Sequence, residues 1–318
     1  MIWLYSLIFL ISFIPLYFSG KWVVGSLTRI AKYLNWREFV VSFFIMAFAG
    51  AIPNLFVGVL SAIHKIPQLS FGDIVGGNVI DLTIAVALAT LVAKEIPAKS
   101  RTVQTTSLFT ISVAILPLLL ILDGVLSRGD GILLIGSFFF YIVWLFSRRE
   151  RFTRIYDKTE SGAIRNFKVF IKDLGKVILG IIFLIIAAEG IVKSSIFLAE
   201  ALKMPIALIG ILIVGLGNAL PETYFAITSA RAGETWMILG DLMGSVITPS
   251  TLILGTVSLI CPIKIFDFSS FAVGRIFLII SALFFFFFVR SDRKITKREA
   301  IFLFLIYILF IISEIFLT

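Results

Sequence analysis

Glu222 and Asp81 each stand near the middle of a long apolar run, where a charge is expensive. Glu222 follows Pro221, and Asp81 closes the stretch Gly76-Gly77-Asn78-Val79-Ile80-Asp81, with no basic residue in its run before Lys94. A charge at the centre of a bilayer costs roughly 2.5–3.5 kcal/mol or more, which makes such a residue a functional candidate by default. A protonated or internally paired structural group is the alternative for Glu222. A bound cation would compensate both acids, and their joint charge of about −2 matches one divalent or two monovalent cations. Carboxylate and backbone carbonyl oxygens suit Ca²⁺ better than a soft transition metal, and no His or Cys stands near these motifs.

The surroundings of the two acids are written twice. Gly50-Ala51-Ile52-Pro53-Asn54 and Gly72-Asp73-Ile74-Val75-Gly76-Gly77 recur as Asn218-Ala219-Leu220-Pro221-Glu222 and Gly240-Asp241-Leu242-Met243-Gly244-Ser245, 168 positions on. Pro53 and Pro221 each remove a backbone donor in mid-span, so a kink or break is expected there, and Gly50, Gly217 and Asn218 weaken the helix further. Carbonyls freed in a membrane must line a cavity or find partners. A duplicated polar, helix-breaking motif at membrane depth points to a transporter's binding site. The copies differ in chemistry: Asn54, an uncharged carbonyl donor, faces Glu222, and Pro249 faces Asp81. Asp73 and Asp241 each follow a glycine at the expected start of a span. Two readings stay open for them, a helix N-cap and a place on a cation pathway. Glu189, whose repeat partner is Lys21, is expected to be structural or interfacial, and His64 to be simply solvated.

The elements that hold these residues follow from composition. The chain is 59% hydrophobic and 15% charged, with a mean hydropathy of +1.08, against about 25% charged in soluble domains. This is a polytopic membrane protein. The one cysteine, Cys261, excludes an internal disulfide. A formal charge of +9 does not signal nucleic acid, because the basic residues fall in short loops between apolar runs. Ten spans of about 20 apolar residues are expected, at 2–19, 39–61, 72–93, 104–122, 131–147, 176–196, 206–229, 237–260, 272–289 and 299–317. The first lacks the basic flank of a cleaved signal peptide. Loops after odd-numbered spans hold 22 of the 28 Lys and Arg residues, so those loops are expected in the cytoplasm and both termini outside. A basic linker, 148–175, divides residues 1–147 from 176–318. Five spans is an odd number, so the halves enter from opposite sides. The expected fold is an all-α membrane protein of ten transmembrane helices in two inverted five-helix repeats.

At this point the chain resembles the cation/Ca²⁺ antiporter superfamily, and within it the small prokaryotic Na⁺/Ca²⁺ exchangers. That family carries two repeats, each a G-[TS]-S-x-P-E segment followed by G-N-x-x-G-S-x-x-x-[ND]. The resemblance covers nearly the whole chain, including Ser19-Gly20-Lys21-Trp22-Val23-Val24-Gly25 and Ala188-Glu189-Gly190. It implies alternating access, with the first and sixth spans sliding past a core of spans two, three, seven and eight. It implies Ca²⁺ ligation by Glu222, by position 54 and by backbone carbonyls near Ala47 and Gly215, with Na⁺ sharing those groups and nearby hydroxyls and amides. The chain departs from the pattern: Gly50, Ala51, Asn218 and Ala219 replace hydroxyl-bearing positions, Gly77 replaces Ser, and both Gly-Asn pairs are Gly-Asp. Asn218-Ala219-Leu220-Pro221-Glu222 is also similar to a segment of H⁺/Ca²⁺ exchangers, and a protonatable carboxylate is all that proton coupling requires. The expected function is a cation antiporter moving Ca²⁺ against Na⁺ or H⁺ in the plasma membrane of a prokaryote, as a monomer or homodimer, without a cofactor. The expected ligands are Glu222, Asp81 and Asn54, followed by Asp73, Asp241, Asn78, Asn218 and Ser245. An intramembrane aspartyl hydrolase built on Asp73 and Asp241 is the reading from another class.

Overall fold

The computed structural model describes residues 2–33, 51–147, 167–233, 235–265 and 269–317. Nine helices among them are long and apolar enough to cross a membrane, and Ala51–Ile63 is a further, shorter apolar helix. In chain order they are α1 (Ile2–Tyr33), α2 (Ala51–Ile63), α3 (Gln68–Ala93), α4 (Arg101–Leu120), α5 (Arg128–Ser147), α6 (Phe167–Leu202), α7 (Ile206–Arg231), α8 (235–260), α9 (Ser269–Arg290) and α10 (Lys297–Leu317).

Two helices are longer than the sequence pattern suggests. The expected first span ends at residue 19, yet α1 runs on through Gly20 and Lys21 to Tyr33, and α6 starts at Phe167 and ends at Leu202. At 1.5 Å per residue α1 is about 48 Å long, well beyond the ~30 Å hydrocarbon layer. The charges that read as loop sit on helix instead. Lys21 lays its ammonium over the Tyr17 ring, and Arg29 grips the Asp173 carboxylate of α6 through two 2.8 Å hydrogen bonds. Long cationic stems cover apolar surface while the head reaches a polar partner.

Burial separates an inner group of helices from an outer one. In the apolar window of α3, 78% of residues are buried, and in α8 67%, against 17% in α1. The inner helices α3 and α7 cross backbone to backbone. A Cβ at Gly72 or Gly76 would run into the carbonyls of Ala207 and Ile211 of α7, and one at Gly215 would lie 2.9 Å from the Asp73 carbonyl. Small residues at such crossings let membrane helices approach closely.

Irregular turns mark the same inner group. Asp81–Ala85 of α3, Gly210–Val214 of α7 and Pro249–Ile253 of α8 are π-helical, a geometry frequent at functional sites. The first and third lie 168 positions apart, so the repeat is preserved in the backbone even where Asp81 has become Pro249. α7 stays helical through Pro221, with its irregular turn placed before the proline rather than at it.

Four short strands lie among the described residues. Glu95–Pro97 (β1) pairs antiparallel with Lys294–Thr296 (β4), and Val125–Leu126 (β2) with Ile263–Lys264 (β3). Glu95 and Ile263 are repeat equivalents, as are Leu126 and Lys294, so the two ribbons are images of one another. Each ribbon joins a loop of the first half to a loop of the second. The loops after α3 and α9 therefore share one face and those after α4 and α8 another, as inverted repeats demand.

Candidate cation site

α3 presents Asp73, Asn78 and Asp81, α7 presents Asn218 and Glu222, and α8 presents Asp241 and Ser245. On α7 and α8 the pairs are spaced i, i+4, which puts both members on one helical face. The crossing of α3 and α7 brings the Asn218 amide to the Asp73 carboxylate, donating to Oδ1 at 2.9 Å and Oδ2 at 3.0 Å. Ser245 donates to Asp81 Oδ2 at 2.6 Å. Asn78 donates instead to Ser250 Oγ at 2.7 Å, a buried contact with α8.

The capping reading of Asp73 and Asp241 does not hold. α3 begins at Gln68 and α8 at Thr235, so both acids lie in the second turn. The Asp73 side chain is spent on Asn218 of another helix rather than on its own first turn.

Three carboxylate oxygens from three helices, Asp81 Oδ1, Glu222 Oε2 and Asp241 Oδ2, are buried and have no hydrogen-bond partner. Burying an unsatisfied polar group costs about 1–3 kcal/mol, and more when it is charged. Among the described residues, none of Asp73, Asp81, Glu222 and Asp241 makes an ion pair with Lys, Arg or His. The cluster thus calls for external positive charge, and its all-oxygen chemistry fits a hard cation.

A cavity of about 300 Å³ opens beside the cluster. Pro53, Asn54, Asn218 and Glu222 line one wall, and Phe13, Tyr17 and Lys21 of α1 the other. Among the described residues no three Asp, Glu, His or Cys side chains converge closely enough to hold a metal ion. Of the four acids only Glu222 lines the cavity.

Of the sequence candidates, Asn54, Asn218 and Glu222 line the cavity, Asp81 and Ser245 are joined by a hydrogen bond and, like Asp241, do not line it, and Asp73 is tied to Asn218. Asn78 is occupied by Ser250. Gly215 packs against the α3 backbone, with Gly77 N 2.8 Å from where its Cβ would be. Ala47 lies outside the described residues. His64 is not merely solvated: its Nε2 is 2.9 Å from Glu189 Oε2 on α6. Cys261 is a free, half-buried thiol. Sequence reasoning missed Ser250, the aromatic wall from α1, and Glu314, which is buried on α10. The intramembrane-acid rule would have flagged Glu314; nothing local marks Ser250.

Two repeats of opposite orientation, with buried acids and irregular helices where they meet, define a secondary transporter. The sodium/calcium exchanger protein family matches residues 4–147 and 173–316, and the chain belongs to that family. It is a membrane antiporter, not an enzyme. It is 25% identical to the sodium/calcium exchanger MaX1 of Methanosarcina acetivorans over 96% of this chain and 97% of that one. It is 26% identical to an uncharacterised membrane protein of Methanocaldococcus jannaschii over 74% of this chain and 76% of that one. The solved sodium-calcium exchanger NCX_Mj shares the fold, with a TM-score of 0.64 at 24% identity, covering 98% of this chain and 99% of that one.

Proposed function

We propose that this chain exchanges Ca²⁺ for Na⁺ by alternating access at the cavity between α1 and the inner helices. The observation that carries this reading is the set of unpartnered, buried carboxylate oxygens of Glu222, Asp81 and Asp241, none of which makes an ion pair among the described residues. Glu222 and Asp81 supply the principal charge, and Asn54, the first-repeat equivalent of Glu222, a neutral oxygen. Asp241, Asp73, Asn218 and Ser245 tune and position them. Asn78, Ala47 and Gly215 complete the proposed set. The halves 1–147 and 176–318, joined through 148–175, each give one outer helix, α1 or α6, that moves past the inner helices, with α6 already begun at Phe167. The basic-residue bias supports placing both termini outside, in the plasma membrane of a prokaryote.

Substituting Glu222→Gln should abolish Ca²⁺ uptake into Na⁺-loaded proteoliposomes. Normal uptake by that variant would remove Glu222 from the site. A second reading, coupling to H⁺, is favoured by one observation: Asp73, Asp81, Glu222 and Asp241 bring four protonatable carboxylates to a region whose hydroxyl-bearing positions 50, 51, 77, 218 and 219 have lost their hydroxyls. Imposing a pH gradient without Na⁺ separates the two. Uptake that follows the pH gradient alone overturns Na⁺ coupling.

A further inference from the structure

Glu189 of α6 is held at both oxygens. Oε2 meets His64 Nε2 at 2.9 Å and Oε1 meets Lys193 Nζ at 2.9 Å. His64 sits just past the end of α2, so this contact ties the long outer helix to the inner group. The repeat gives the contact an image. Glu189 corresponds to Lys21 of α1, and His64 to Ala232 at the end of α7, each 168 positions apart. Backbone geometry supports the register up to these ends: the next residues, Lys65 and Gly233, both turn left-handed, at φ 62° and 79°.

The image contact is not made here. Lys21 lies over the Tyr17 ring and borders the cavity that holds Glu222, with no ion pair among the described residues. The chemistry nevertheless matches. The last carbonyls of a helix carry negative partial charge and accept from an ammonium, and α7 ends at Ala232. Inverted repeats give alternating access by rocking or gating one bundle against the other around a fixed site, and because the halves are images, a contact closed in one access state has its image open. Here one contact is closed and its image open, and a change of access state must reverse them.

We propose that Glu189–His64 and Lys21 with the carbonyl end of α7 are alternating latches, positioning residues that close opposite sides of the cavity in turn. This rests on the alternating-access reading above. It assigns two unlike latches, an ion pair and a helix-end contact, to equivalent places in the two halves.

The test uses paired substitutions His64→Cys with Glu189→Cys, and Lys21→Cys with Ala232→Cys, in a Cys261→Ser background. A short bis-methanethiosulfonate linker replaces a direct disulfide, because His and Glu side chains reach farther than one. Bridging either pair should cut Ca²⁺ uptake by about tenfold or more, restored by dithiothreitol, since locking a gating step removes turnover. Undiminished uptake by a bridged pair overturns the proposal. With all four substitutions, each molecule should carry one bridge or the other; molecules carrying both, seen by mass spectrometry, also overturn it. That readout needs no transport, so failed exchange by the Cys261→Ser background itself would refute the proposed function and leave the latches separately judged. Glu189→Ala alone should change the maximal rate severalfold and leave half-saturating Ca²⁺ within about twofold, because it touches no ion. An unchanged maximal rate overturns the latch.

Discussion

Gly215→Ala is the sharpest test of how the site is held. The added methyl would lie 2.8 Å from Gly77 N, 2.9 Å from the Asp73 carbonyl and 3.1 Å from Gly76 C. Comfortable carbon contacts begin at about 3.5 Å, so α3 and α7 must separate by about 0.5–1 Å. The obstructing atoms are backbone in two buried helices and cannot rotate aside. Overpacking costs about 1–3 kcal/mol, and this geometry belongs at the upper end. Replacing a helical glycine returns about 1 kcal/mol, which leaves a net loss of about 2 kcal/mol, a factor of about 30 in the folded ratio. Gly175→Ala on α6 is the control, since nothing lies within 4 Å of its Cβ position; it should stabilise by up to about 1 kcal/mol. One chemical change thus has opposite signs at two helical glycines. Melting in detergent reads the stability, and Ca²⁺ uptake reads the site, where Glu222 is carried away from Asp81. An uptake loss of about tenfold or more is expected, given that a 1 Å misplacement can cost about 100-fold in a positioned site. A Gly215→Ala protein that melts at or above the parent, or as far below it as Gly175→Ala does, refutes the argument.

Other consequences are simpler to read. Asn218→Ala leaves the buried Asp73 carboxylate without its two amide contacts and should cost about 1.5–3 kcal/mol of stability, seen as a lower melting midpoint in cation-free buffer. Saturating Ca²⁺ should stabilise the folded protein by about 2.7 kcal/mol at 100 times its dissociation constant; a chelator should reverse the shift and Glu222→Gln should prevent it. Arg29→Gln breaks the grip on Asp173, but the Arg29 side chain is 44% exposed. After solvent screening the loss should be about 1 kcal/mol, and a double-mutant cycle with Asp173→Asn should recover a coupling of that size.

The parts of the fold that were legible in sequence are those written in a single helix. Apolar runs gave the spans, the 168-residue offset gave the repeat, and mid-span acids gave Glu222 and Asp81. What stayed hidden depends on which helices become neighbours. Asp73 looked like a cap because Gly72 precedes it, yet its partner Asn218 is 145 residues away. His64 looked solvated because its only local neighbour is Lys65, yet Glu189 reaches it across 125 residues. Lys21 and Arg29 looked like loop because charge interrupts a hydropathy window. A helix longer than the bilayer can carry them when an aromatic face or a carboxylate receives the head. The π-turns left no local trace, since Pro249 and Asp81 share no side-chain property that would announce the same backbone.

That shared backbone explains how the repeats could lose their chemical symmetry without losing the site. The turns at Asp81–Ala85 and Pro249–Ile253 keep one geometry in both halves, while only the first begins with a carboxylate, the proposed ligand Asp81. Asn54 and Glu222 likewise share one cavity while only the second carries charge. Both deep acids therefore ride on α3 and α7, the pair locked backbone to backbone through Gly72, Gly76 and Gly215. Their separation is fixed by packing rather than by a flexible side chain. α2 and α8 contribute Asn54, Ser245 and Asp241. α1 closes the cavity from the least buried helix in the bundle. A strong, fixed pair of charges against a movable apolar wall is a workable division of labour for an exchanger. At the proposed site the rigid pair would hold the negative charge in place, and the wall would set the side from which a cation enters.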